Sequence, residues 1–136
     1  MFPFPTSAGD PAIDAAAYAE TLKQVFEGGW PDFDCNVLGV GGDGYTASLF
    51  PGTDAQRAGG WPTVGNKSGE PRLTLTVPAI EHSHRVKFWV NGVGKASIIK
   101  TLPTDQVGLP AQQIKPEGEL IWMLDAAAAA ELPLLY

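Results

Sequence analysis

Cysteine is almost absent: Cys35 stands alone among 136 residues, which excludes an internal disulfide and fits a reducing cytosol. It falls in an apolar stretch that reads as a strand, where a buried inert thiol is the expectation rather than a nucleophile. Histidine is scarce too. His82 and His84 lack the cysteine or carboxylate arrangement of a metal site and read as surface or edge residues preceding a strand. Nine bases against fifteen acids leave no basic excess, so nucleic acid is not an expected partner. No apolar run is long enough to cross a bilayer, and no basic segment followed by an apolar stretch opens the chain. Neither a membrane nor a signal peptide is expected, and the reading is cytoplasmic.

What is present describes one globular domain, 1–136. Hydrophobic residues make up 44% of the chain and include four tryptophans, enough for a packed core. The net charge of -6 is uneven: residues 1–66 carry eight acids against Lys23 and Arg57, whereas residues 67–136 are balanced. Within the second part Lys67, Arg72, Arg85, Lys87, Lys95 and Lys100 face only Glu70 and Glu81. That local excess suits either a small anion such as a phosphate ester or a solvated charged face.

Met1 to Ser7, with two prolines, reads as an extended entry. Asp10 and Pro11 form an N-cap and first helical position, followed by Ala15, Tyr18, Ala19, Leu22, Val25 and Phe26 on one helical face. Gly28 and Gly29 end that helix. A strand is predicted over Phe33 to Val40, and an irregular segment over Gly52 to Gly69. Further strands are predicted over Arg72 to Pro78, Arg85 to Val90 and Glu119 to Leu124. Helices are predicted over Lys95 to Leu102 and, capped by Asp125, through the alanine run before Pro133. The alternation argues for an α/β fold, Rossmann-like, with a mostly parallel sheet and flanking helices.

The densest signal is Leu38-Gly39-Val40-Gly41-Gly42-Asp43-Gly44-Tyr45-Thr46-Ala47-Ser48-Leu49-Phe50-Pro51. Glycine at this density turns the backbone sharply and brings its amides close to a ligand. Gly39, Gly41 and Gly44 satisfy the dinucleotide pattern G-x-G-x-x-G. That reading also needs a full helix from the third glycine and an acid about twenty positions on. Pro51-Gly52 interrupts the helix, and residues 56–69 contain no acid. A tight glycine turn without a ligand is the plainer alternative.

The run resembles the loop of the 6-phosphogluconolactonases, G-x-G-x-D-G-H-T-A-S-L-F-P. Pro71 to Pro78 resembles the family's P-x-R-I/L-T-L-T-L-P strand, and Val90-Asn91-Gly92-Val93-Gly94-Lys95-Ala96 its strand and G-x-x-K-A turn. Leu109-Pro110-Ala111, Trp122-Met123-Leu124-Asp125 and Phe2-Pro3-Phe4-Pro5-Thr6 are similar as well. The related glucosamine-6-phosphate deaminases share the G-x-G-x-D-G-H loop but continue it differently. Ala47-Ser48-Leu49-Phe50-Pro51 follows the lactonase version.

The resemblance implies hydrolysis of 6-phosphoglucono-1,5-lactone in the pentose phosphate pathway, without a metal or organic cofactor. It implies Tyr45 at the position of the family's catalytic histidine, oriented by Asp43 or with Asp43 holding the loop through its amides. It also implies a substrate surface of Gly41, Gly42, Gly44 and Thr46, with Lys95 and Arg72 for the phosphate. For Arg72, a carboxylate partner at a strand start is an equal alternative. A tyrosine, with an ordinary pKa of about 10, is a poor base at neutral pH but a competent hydrogen-bond donor. Family members are longer, and this chain resembles their second half. An unpaired strand edge is therefore expected, covered by a second copy or a complementing chain. A non-catalytic sugar-phosphate-binding or subunit-interaction domain is the alternative from a different class.

Overall fold

Asp10 and Pro11 start the first helix as their chemistry predicts: the Asp10 carboxylate accepts the Ala12 amide at 2.8 Å, opening α1 (Pro11–Val25). The computed structural model describes residues 1–27, 29–50, 53–103 and 108–133. Ala15 and Leu22 are buried on α1, with Tyr18 and Ala19 half-buried beside them. Val25, expected on that face, is exposed, because the helix ends there and Phe26 already occupies the C-cap. Glu27 takes a left-handed conformation (φ +51°), and Gly28, the expected terminator, lies outside the described residues.

Three parallel strands form the main sheet: β1 (Asn36–Leu38), β4 (Arg85–Val90) and β5 (Glu119–Leu124), in the order β1-β4-β5. β4 and β5 coincide with the predicted strands. β1 is shorter than predicted, for reasons local to its ends. Phe33 makes one isolated bridge to Ser83, and the Asn36 amide turns inward to the Ile80 carbonyl at 3.2 Å. At the other end the Thr46 hydroxyl takes the Gly39 carbonyl at 2.9 Å. Because Asn36 points inward, Cys35 and Val37 point the other way. Cys35 is exposed, which corrects the expected buried thiol.

The segment expected to be irregular holds a short helix, α2 (Asp54–Arg57), and a strand, β2 (Pro62–Lys67). β2 pairs antiparallel with β3 (Glu70–Leu75), and Ser68 and Gly69 form the two-residue turn with φ of +54° and +90°. Positive φ at both positions matches the twist of the flanking strands. α1 packs on this hairpin. β3 stops before the predicted Pro78 because Thr76 caps α3 (Val77–Glu81), its hydroxyl accepting the Ala79 amide at 3.3 Å.

The predicted helix over Lys95 to Leu102 begins as a 3₁₀ turn (Val93–Lys95) and continues as α4 (Ala96–Thr101). A further short helix, α5 (Pro110–Gln113), was not expected. The alanine run forms successive turns rather than a helix. Asp125 does cap it, accepting the Ala128 amide at 2.7 Å, but the segment is too short to propagate and buries little beyond Ala128. His82 pairs with Glu117 at 3.2 Å and His84 with Asp32 at 3.5 Å, both beside the start of β4.

Val86, Phe88 and Val90 point from β4 into the core with Val40, Leu49, Ile80, Ile99, Ala111 and Ile114. Phe88 is fully buried and stacks on Trp122 at 4.1 Å. Residues between them face the opposite side, where Val37 is 61% and Trp89 60% exposed, with Met123 alongside. Among the described residues this face is uncovered and β1 and β5 are edges. No helix among the described residues is long and apolar enough to cross a membrane.

Adjacent residues of β4 therefore carry unequal loads. Phe88→Ala should cost about 3–5 kcal/mol in urea unfolding. Trp89→Ala should cost less than about 1 kcal/mol. Equal losses would contradict the one-sided core.

Candidate functional site

The glycine run leaves the C-terminal end of β1 and folds back on itself. Gly41 N–H donates to the Tyr45 carbonyl at 2.7 Å, and Gly44 N–H to the Gly41 carbonyl at 3.0 Å. The Asp43 carboxylate accepts the Tyr45 amide at 3.2 Å, so it braces the loop through the backbone. Gly44 is buried with φ +79°, and a Cβ there would lie 2.5 Å from Leu109. Only glycine meets both conditions. Its carbonyl accepts the Ala111 amide of α5 at 3.2 Å, which backs the loop with the core.

No helix starts at Gly44, the condition the dinucleotide pattern required. Instead Thr46 and Leu49 close a tight turn, with the Leu49 amide donating to the Thr46 carbonyl at 3.1 Å. Leu49 anchors the turn in the core, and the Tyr45 ring meets Phe50 edge-on at 5.4 Å. Pro51 and Gly52, expected to cut the helix, lie outside the described residues.

The hairpin supplies the opposite wall. Ser48 N–H donates to Thr74 Oγ1 at 3.1 Å, and Gly65 lies so close to Ser48 that a Cβ would overlap the Ser48 carbonyl. Register pairs Gly65 with Arg72 and Lys67 with Glu70, so all four share one face of the hairpin with Thr74. This docking leaves a cleft of about 570 Å³ between loop and hairpin. It is lined by Gly39 to Asp43, Tyr45 to Ser48, Phe50, Lys67 and Arg72.

The fold thus brings Tyr45, Asp43, Gly41, Gly42, Thr46 and Arg72 together around one space. Thr46 is buried and commits its hydroxyl to the Gly39 carbonyl. Arg72 donates to Glu70 at 2.6 Å, the carboxylate partnership weighed for it from the sequence. Lys95 is not in this wall. It ends the turn after β4, where Gly92 N–H is held by the Asp125 carboxylate at 3.0 and 3.1 Å. Lys67 joins the cleft through the pairing register, and the Ser68-Gly69 turn beside it is the signal by which the sequence shows that hairpin.

This strand, glycine loop and hairpin match known proteins. The family described as glucosamine-6-phosphate isomerases/6-phosphogluconolactonase matches residues 1–122. The chain belongs to this family. A 6-phosphogluconolactonase of a Synechocystis species is 44% identical over 139 residues, covering 97% of this chain and 58% of that protein. The corresponding Nostoc protein is 43% identical, covering 94% and 56%. The crystal structure of devB protein superposes with a TM-score of 0.84 at 35% identity, over 91% of this chain and 56% of that one. The chain therefore spans just over half the length of these family members, and the α/β fold is theirs.

The contact at Gly65 makes the cleft testable. Gly65→Ala should destabilise the protein by about 1–3 kcal/mol through overpacking, with faster hydrogen exchange in β2 and β3. Gly59→Ala, placed in open space, should change neither. A neutral Gly65→Ala would show that loop and hairpin are not held by this approach.

Proposed function

We propose that this chain carries the glycine-loop part of a site that hydrolyses 6-phospho-D-glucono-1,5-lactone to 6-phosphogluconate, a cytoplasmic step of the pentose phosphate pathway. The observation that carries the reading is the cleft itself, where the loop bearing Tyr45 faces the cations Arg72 and Lys67. In this reading the phosphate end of the lactone meets the hairpin bases, and the ester carbonyl lies against the loop. Water adds to the carbonyl carbon, the ring C–O bond breaks, and the ring oxygen leaves as a hydroxyl. Tyr45 donates a hydrogen bond to a substrate oxygen, and Asp43 keeps the loop in shape from below. Lys95 contributes from the neighbouring turn once substrate and the remaining part of the fold are in place.

A second reading has its own support. The uncovered sheet face with Val37, Trp89 and Met123 suits a subunit-interaction domain that binds sugar phosphate without turning it over. All-parallel sheets are ordinarily covered on both faces. In both readings a complementing polypeptide, equivalent to the portion of the relatives this chain does not match, or a second copy, seats on that face.

A coupled lactonase assay, corrected for spontaneous hydrolysis, separates the readings. Loss of a positioned general base costs about 10²–10⁴ in rate, so the chain alone should turn over weakly or not at all. Tyr45→His alone should gain little, because substrate would be held at one end only. Tyr45→His together with the complementing half should gain at least about tenfold. A folded, completed, histidine-bearing protein without activity would remove position 45 from the catalytic role.

A further inference from the structure

The hairpin tip places a carboxylate on the arginine that a phosphate would need. Glu70 and Arg72 are two residues apart on one face of β3, and Lys67 lies across the strand pair from Glu70. Arg72 Nη2 donates to Glu70 Oε2 at 2.6 Å, and their side chains are 49% and 69% exposed. Among the described residues this is the ion pair Arg72 makes, and Lys67 makes none. Both bases line the cleft, whereas Glu70 is not among its walls.

We propose that Glu70 is an internal competitor for the anion: it pairs with Arg72 and yields it to a phosphate dianion, which Lys67 then also holds. This rests on the reading of the cleft as a phosphate-ester site. The contact is cheap to exchange, because an ion pair between exposed side chains contributes little net free energy. A phosphate dianion brings more charge and two or more acceptor oxygens, matching the planar fork of arginine and the point charge of lysine. A carboxylate ligand also offers two oxygens to the arginine fork, but it carries only the single charge that Glu70 already supplies. It would replace one carboxylate on Arg72 by another, with no added charge to offset repulsion from Asp43 in the opposite wall. Glu70 therefore makes the cleft selective for the phosphate end of a sugar acid over its carboxylate end.

The selection also has a pH sense. A phosphate monoester loses its second proton near pH 6. Binding should strengthen as pH rises from about 5.5 to 7.5, because the dianion outcompetes Glu70 and the monoanion does so poorly. The charged and titratable groups around the phosphate position are Lys67, Arg72, Asp43 and Tyr45 in the cleft walls, with Glu70 beside them on the same hairpin face.

The test is calorimetry of the full chain with inorganic phosphate, 6-phosphogluconate and gluconate at constant ionic strength. Glu70→Gln, which keeps the shape of an exposed side chain, should tighten phosphate and 6-phosphogluconate about two- to fivefold, the range set by an exposed ion pair. The same change in an Arg72→Ala background should give no gain, since the coupling has been removed. Lys67→Ala should weaken both phosphate-bearing ligands, and gluconate should show no measurable binding to the wild type and gain only in Glu70→Gln. Phosphate binding that Glu70→Gln leaves unchanged or weakens would overturn the competitor while leaving the phosphate cleft standing. Absence of phosphate binding at tens of millimolar to folded wild-type and variant would overturn both. Lactone turnover does not enter this test, so a catalytically inert chain still decides it.

Discussion

The site depends on one close approach, that of Gly65 to the Ser48 carbonyl. The glycine loop and the hairpin come from different parts of the sequence, and a side chain larger than hydrogen at position 65 would hold them apart. The adjoining hydrogen bond from Ser48 N–H to Thr74 Oγ1 fixes their relative height. Given that seam, the two-residue period of β3 carries Arg72 and Glu70 to the same side as Thr74, and Lys67 follows from the pairing register. The place of Lys67 in the cleft is thus a consequence of backbone packing, whereas Arg72 also belongs to a local sequence motif.

The loop is rigid for a related reason. Asp43 spends its carboxylate on the backbone, Thr46 spends its hydroxyl on Gly39, and Leu49 drives the turn into the core. What remains facing the cleft is backbone, the Tyr45 ring and the bases opposite. Such a surface offers shape and charge to a ligand, with the Tyr45 phenol at the position where the motif it resembles has histidine. The one-sided sheet adds a second constraint, since Trp89 and Val37 have no cover among the described residues while Phe88 and Val86 are sealed.

Much of this was legible in the sequence where physics is local. The Asp10-Pro11 start, the alternation of Arg85 to Val90 and Glu119 to Leu124, and the parallel arrangement follow from capping and periodicity. The hairpin strand β2 was hidden because Pro62 and Gly65 break its pattern, and Gly65 is required by its close approach to Ser48. The length of β1 depended on Thr46 turning back to Gly39 and on Asn36 reaching the distant Ile80, and no local window of residues displays the second. The exposed Cys35 followed from the inward turn of Asn36. The alanine run misled because propensity without a buried face does not sustain a helix. For the site, the motifs named Tyr45, Asp43 and Arg72, which line one cleft from its two sides, whereas Lys67 joins them only through the pairing register.

The central claim is that the space between glycine loop and hairpin receives the sugar phosphate. The most direct measurement is a ¹H–¹⁵N correlation spectrum of the full chain titrated with 6-phosphogluconate. The account predicts that the amides of Gly41, Gly42, Asp43, Tyr45, Lys67 and Arg72 shift together along one saturable curve. Shifts confined to other surfaces, with these six unmoved at saturation, would contradict it.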